Sequence, residues 1–424
     1  MTLKQSPADF LVEEILAAAV REAIRDRPAA LALYRLAKEN LTTPQAAAAL
    51  ARALGVRPGQ VAHAGLKDRH ARAVQHVTAR ADAMKAGAAP ESLQGPGWRA
   101  ERIGWLDEPI TAAAIEANRF GITVRGLSRE ACRRMDEAAR LLAVAPVEQH
   151  PDVTVGAPTA PAPSCLHPSV PSSLLFVNYF GDQRFGSARH GRGFLAKHLV
   201  RGEFEEALRL AIATWHRKDA KRVKEFHRAV AESWGRWDEL LPRLPQCPER
   251  RAIERLAAAP GDFRGAFAAL PYDFQEMAVH AYQSHLWNAT ARRLVTERCS
   301  AGPMLAAADP FGQMLFPAAR AVPPELADLE LPVLGRGSAL CPPWRAAAEA
   351  VLAEEGVTAE MLRIPGLRRP QFAEVPRRLM AEASGFSLSA AGPDENDPPR
   401  LKRIVAFQLP RGSYATVLLR ALGQ

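Results

Sequence analysis

Between residues 145 and 173 the chain carries seven prolines (Pro146, Pro151, Pro158, Pro161, Pro163, Pro168 and Pro171) and little that could be buried. Proline fixes φ and removes an amide donor, so neither a helix nor an inner strand can run through such spacing. The stretch reads as a long exposed loop or linker, and the chain must build its cores on either side of it.

The two sides differ in pattern. Upstream, 8–14 and 60–64 have strand-like apolar patches, as do 73–79, 98–105 and 118–125, while 29–39 fits a strand or a helix by periodicity. Thr43 followed by Pro44 predicts an N-cap and a helix over 44–54 that Gly55 stops, and Ser128 predicts the cap of an amphipathic helix over 128–144. Residues 81–97 are small and polar and read as a surface connection. Downstream the pattern turns helical, over about 193–215, 217–234, 249–257, 273–296 and 343–354, with Trp215 and Trp287 spaced as core residues. The tail returns to strands, 379–390 and 401–409, around an acidic turn at 392–399, and a last helix covers 413–422.

A chain of 424 residues with 48% hydrophobic content can bury two domains, or one core with a large insertion. Its net charge of +9 favours partners with phosphate backbones or acidic surfaces. The five cysteines are scattered, without metal-ligand spacing, and indicate a reducing compartment. The start lacks a basic region leading into an apolar run, and no stretch approaches the roughly 18 apolar residues that a membrane span requires. The expectation is a soluble, cytoplasmic protein.

Chemistry is offered at His63-Ala64-Gly65-Leu66-Lys67-Asp68-Arg69-His70-Ala71. Here a carboxylate stands in a tight basic loop between two strands, and that arrangement is expected to put Asp68 at a sheet edge. Taken alone, the string describes a solvated turn with balanced charges. Gly65 and Gly412 read as positions where the backbone turns as no β-carbon would tolerate. Further basic runs, at 184–192, 217–224 and 363–369 with Arg377 and Arg378, could meet phosphate, as could Arg72.

Four motifs stand in one order: Lys4-Gln5-Ser6-Pro7-Ala8-Asp9-Phe10-Leu11-Val12-Glu13-Glu14, the Asp68 loop, Asn118-Arg119-Phe120, and Asn178-Tyr179-Phe180-Gly181-Asp182-Gln183-Arg184-Phe185-Gly186. With Leu409-Pro410-Arg411-Gly412-Ser413-Tyr414-Ala415-Thr416 they run nearly the length of the chain. Together they resemble the TruD family of tRNA pseudouridine synthases. The resemblance implies an α+β fold: a pseudouridine-synthase core, with a mixed or antiparallel sheet and flanking helices, interrupted by a large mainly α insertion domain. It divides the chain into core at 1–175, insertion at 176–378 and core again at 379–424.

It also implies an isomerase that converts uridine to pseudouridine in tRNA, at position 13 of the D-arm, without a cofactor or metal and working as a monomer. Asp68 falls on the family's catalytic aspartate, and Lys4 on a lysine that would keep it ionised. Phe120 would stack on the extruded uracil, a contact worth about 1–3 kcal/mol against the cost of unstacking a base. Asn118 would orient the loop or the base, Lys67 and Arg69 would meet the RNA beside the nucleophile, and Asn178, Gln183 and Arg184 would brace the chain. The chain departs from the family at Gly104-Trp105-Leu106-Asp107-Glu108-Pro109-Ile110-Thr111, acidic and apolar where the family is basic. That departure favours a second reading, a tRNA-binding or folding factor that keeps the fold without the chemistry.

Overall fold

The computed structural model describes residues 5–84, 89–144, 173–188, 190–217 and 219–423. Lys4 and the proline-rich 145–172 lie outside the described residues. The chain divides into two compact units, Met1–Phe176 with Ala318–Arg320 and Ala381–Gln424, and Val177–Pro317 with Ala321–Met380.

In chain order the first elements are β1 (Phe10–Leu16), α1 (Ala18–Ala23), β2 (Leu31–Glu39), α2 (Thr43–Leu54), β3 (Val61–His63), β4 (Arg72–Arg80), β5 (Ser92–Gly95), β6 (Trp98–Leu106), β7 (Ile115–Leu127), α3 (Arg129–Leu142) and β8 (Ser173–Val177). Next come α4 (Leu195–Val200), α5 (Phe204–Ile212), α6 (Lys221–Glu232), α7 (Trp237–Leu240), α8 (Arg250–Ala258), α9 (Phe263–Ala268), α10 (Tyr272–Arg298), β9 (Met304–Ala307), β10 (Met314–Pro317), α11 (Pro324–Ala327) and α12 (Arg345–Glu355). The chain closes with β11 (Met380–Leu388), β12 (Gly392–Pro393), β13 (Leu401–Pro410) and α13 (Ala415–Ala421). This is a mixed α+β fold.

The large sheet has the order β5-β6-β2-β4-β1-β7-β13-β11-β8, with β3 beside β4 and β12 beside β13. Pairing of β1 with β4 is parallel, whereas β1 with β7, β7 with β13 and β2 with β4 are antiparallel. Register fixes the faces, because side chains alternate along a strand. Val12 lies opposite Phe120 and Ala73, Glu14 opposite Asn118, Lys38 opposite Ala73, and Phe120 opposite Phe407, so these residues share one face. Helix α2 covers part of that face, burying Ala46, Leu50, Ala51 and Leu54 with Tyr34, Leu36 and Val77. Helix α3 lies on it too, where Arg403 donates to Cys132 O at 3.1 Å and Asp136 Oδ1 at 2.7 Å.

The ends of the first unit are tied by one buried arginine. Arg125 reaches Asp9 through Nε at 2.9 Å, Asp394 through Nη1 at 2.8 Å and Glu395 through Nη2 at 3.0 Å. The acidic turn of the tail is thus an internal counter-charge.

The second unit is built around α10, whose buried positions occur on every side, as expected of a helix enclosed by neighbours. Its Trp287 is 1% exposed and donates from Nε1 to Leu331 O at 2.7 Å, while Gln283 donates to Leu334 O and Ala373 O. Arg377 lies over the rings of Phe180 and Trp287 and donates to Asn178 O, so this cation is turned inward. Asn178 in turn donates to Arg378 O, and Arg184 to Ser284 Oγ.

Several expectations are corrected. The 29–39 segment, open between strand and helix by periodicity, forms the strand Leu31–Glu39; the first four residues of that strand are all buried, which erases the alternation that would have identified it. Within 81–97 a short strand, β5, pairs with β6. The helical 193–215 stretch breaks at Gly202, where φ is +77°. Thr42, not Thr43, caps α2, through a reciprocal bond with Gln45. Asp68 precedes β4, which is an inner strand, so the loop is not at a sheet edge. Gly412 has φ +87° as expected, but Gly65 is outside the left-handed region and has open space where a Cβ would stand. Trp215 is 37% exposed beneath Arg228 and is not core.

Candidate active site

Three residues after β3, the chain enters a loop held from several sides. Because Thr42 caps α2, the hydroxyl of Thr43 is left for other work. It accepts from the Lys67 amide at 2.9 Å and donates to Gln75 Oε1 at 2.9 Å. The buried Lys38, 3% exposed, donates from Nζ to Asp68 O at 2.7 Å and Leu41 O at 2.8 Å, with Lys67 O at 3.4 Å. Both the residue before Asp68 and Asp68 itself are therefore fixed by their main chain.

The Lys67 side chain adds a third anchor. Its Nζ donates to Asn118 Oδ1 at 2.7 Å and lies 2.9 Å from Glu14 Oε1, an ionic contact without hydrogen-bond geometry. The Glu14 side chain is 1% exposed, and its Oε2 accepts from the His76 amide at 2.8 Å. Burial pushes this carboxyl upward, but His76 and the Lys67 ammonium more than offset it, so Glu14 stays below the usual carboxylate range. Burial lowers the Lys38 ammonium to about 8, against the opposing pull of Asp68. One buried ammonium group thus holds the Asp68 carbonyl, while that of Lys67, partly buried, is paired with the buried Glu14 carboxylate.

The structure brings Lys67 and Asn118 together directly, next to Asp68 in the chain. Phe120 lies two residues beyond Asn118 on the same face of β7, with its ring 5.3 Å from that of Phe407 and 6.1 Å from that of Phe10. It is 9% exposed, so most of its face is already covered. Arg69 is exposed and donates to Asn40 O at 3.3 Å, and Arg72 pairs with Glu39. Asn40 takes the left-handed φ of +57° that lets the chain turn from β2 towards α2. The sequence assigns no site role to Lys38, Thr43, Glu14 or Gln75. The departing segment is structural: Trp105, Leu106 and Ile110 are buried, and Asp107 pairs with Arg25.

A cavity of about 810 Å³ lies over the same sheet, bordered by Leu11, Glu13, Lys38, Arg119, Phe120 and Gln408 among others. Its size invites an active-site reading, but its chemistry does not. Glu13 is held by Arg35 and Arg119, Glu39 by Arg72, and Asp68 is not among the residues that border it. Lys38 and Phe120 border it as well, so it adjoins the Lys38–Lys67–Glu14 cluster, which we take as the site. Among the described residues no group of three or more His, Cys, Asp or Glu is placed to hold a metal.

Comparison with known proteins gives a consistent answer. Residues 1–422 match the family described as tRNA pseudouridine synthase D (TruD). The tRNA pseudouridine synthase D of Aquifex aeolicus is 28% identical over 99% of this chain and 97% of its own. A TruD homologue of Pyrobaculum arsenaticum is 30% identical over 99% of this chain and 91% of its own. In fold, the chain is similar to the TruD structure from Methanosarcina mazei, with a TM-score of 0.68, 23% identity, and coverage of 99% of this chain and 92% of that one. A match that runs through both units and every motif above leaves one assignment: this chain belongs to the TruD family of tRNA pseudouridine synthases, a family of isomerases.

Proposed function

We propose that this protein isomerises uridine to pseudouridine in tRNA, at uridine 13 of the D-arm, with Asp68 as the nucleophile. The observation that carries the chemistry is the double fixing of the Asp68 loop, by Lys38 on its carbonyls and by Thr43 on the preceding amide. Position 13 rests on the family resemblance.

In the nucleophilic route the carboxylate attacks C1′, the C1′–N1 bond breaks, and uracil leaves with the electron pair. The base turns, C5 bonds to C1′ and displaces the carboxylate; C5 then loses its proton and N1 gains one. In the glycal route Asp68 removes a ribose proton instead. Both routes need an ionised carboxylate held still, and Lys38 supplies a buried cation beside it.

Asn118 and Lys67 serve the site by holding the loop; Phe120 presents its remaining edge to the uracil, and Arg69 meets the RNA. Lys4 would add a further cation. We read the first unit as the catalytic core, 1–175 with 379–424, and 176–378 as an insertion, a reading supported by the division into units. No helix among the described residues is long and apolar enough to cross a membrane. A cytoplasmic monomer as the working form rests on the family resemblance.

Carbodiimide mapping of pseudouridine in tRNA treated with the unaltered protein and with Asp68→Asn tests the assignment. Signal from the first alone is expected. Equal signal from both would sink the role of Asp68, and none from either would favour the binding factor.

A further inference from the structure

At 72% exposure, Leu66 is the most exposed large hydrophobic side chain among the described residues, the others ranging from 37% to 50%. It belongs to the Asp68 loop. Its main chain is not loose: Ala64 behind it is buried, the next amide is bound by Thr43, and Lys38 grips the carbonyls of the two residues that follow. A single exposed leucine is common on a protein surface, but this one is held out by a main chain fixed on both sides, two residues from the proposed nucleophile, and is placed to meet the substrate.

We propose that Leu66 is the wedge that enters the base stack of the tRNA and fills the space vacated by the uridine delivered to Asp68. The proposal rests on the reading of Asp68 above. Leu66 and Asp68 are two residues apart, so their Cα atoms are at most about 7 Å from each other. That is about two base-stacking steps at roughly 3.4 Å each. When the carboxylate is at C1′ of an extruded nucleotide, the leucine is within reach of the gap.

The surroundings select the partner. Arg69 and Arg72 are exposed within six residues of the apolar tip, Arg72 paired with Glu39, and arginines beside a single apolar residue suit a nucleic acid, whose bases are apolar faces inside a phosphate frame. An apolar protein partner would have to bury those charges. Gly65, with open space beside it, adds nothing that would block approach.

The test uses the full chain and tRNA transcripts carrying 2-aminopurine beside uridine 13, or beside whichever uridine the mapping identifies. Bound to Asp68→Glu, which keeps the wedge and the counter-charge of Lys38, the reporter should brighten as its neighbour unstacks. Adding Leu66→Ala should abolish the brightening at equal occupancy, and Leu66→Met should restore it. In the otherwise unaltered enzyme, Leu66→Ala should lower turnover at saturating tRNA about tenfold, with tRNA affinity and thermal unfolding little changed.

Equal brightening with and without Leu66, or none in either, would overturn the wedge. So would alanine and methionine variants that turn over alike. Leu66-dependent brightening without pseudouridine formation would keep the wedge and reject the chemistry, so the two readings fail separately.

Discussion

Replacing Lys38 by methionine separates loop positioning from folding. Burial lowers its ammonium from 10.5 to about 8, so the charged form costs about 3 kcal/mol at neutral pH. Methionine removes that cost at similar length but leaves the carbonyls of Leu41 and Asp68 without their donor, at about 1–3 kcal/mol each. The two effects nearly offset, and the denaturation midpoint should move little. Turnover should not be spared: with the carbonyl of Asp68 released, a displacement of the nucleophile on the order of 1 Å costs about 100-fold. The pH dependence gives a second signature. Because the folded value lies below the unfolded one, the stability penalty is complete below about 8 and disappears between about 8 and 10.5, so this titration favours folding on the alkaline side. Activity, which needs the ammonium, should fall through the same region. Single-turnover pseudouridine formation and chemical denaturation, both followed against pH, check the two halves. Turnover of Lys38→Met within about threefold of the unaltered enzyme would refute the positioning role.

Two further outcomes follow from buried polar contacts. Thr43→Val keeps the shape but strips the acceptor from the Lys67 amide and the donor from Gln75; stability should fall by about 1–3 kcal/mol in denaturant titrations, with a loss of turnover that the conservative Thr43→Ser recovers. In the second unit Glu355 is brought down to about 2, burial pushing it up while His285 and Lys197 more than compensate, so its contribution is present above about 4.5 and lost as pH falls towards 2. Glu355→Gln should therefore lower Tm at pH 7 and make no difference near pH 2, measured by calorimetry.

The motifs made the fold family and the Asp68 loop legible, but not the groups that hold the loop. Glu14 ends the apolar series Phe10, Val12, and Lys38 ends Tyr34, Leu36; a charged residue in register with a buried face was the available signal. For Lys38 that signal is masked, because Leu31–Glu39 is buried on both faces at its start and leaves 29–39 open between strand and helix. Thr43 was spent on a cap that Thr42 makes, which hid the hydroxyl that binds Lys67. Asp68 was expected at an edge because local sequence gives strand, loop, strand and is silent about the parallel partner β1, about 60 residues upstream of β4. Trp215 was placed in the core on helical spacing, but it precedes α6 and lies outside the helix.

The charge count around the loop bears on how Asp68 itself must be tested. Lys38 and Lys67 are two cations largely withdrawn from water, and Glu14 balances one of them. The Asp68 carboxylate, in electrostatic contact with Lys38, balances the other. Replacing it with asparagine therefore does more than remove a nucleophile, since it leaves a buried ammonium without a counter-charge, a situation that commonly costs several kcal/mol. The loop can relax in response, and lost activity alone would not distinguish chemistry from a collapsed site. Asp68→Glu keeps the charge and shifts the carboxylate by one methylene. If the residue acts by attack at a fixed carbon, Asp68→Glu should remain as inactive as Asp68→Asn while recovering its denaturation midpoint, and recovery of both together would reduce Asp68 to a structural counter-ion.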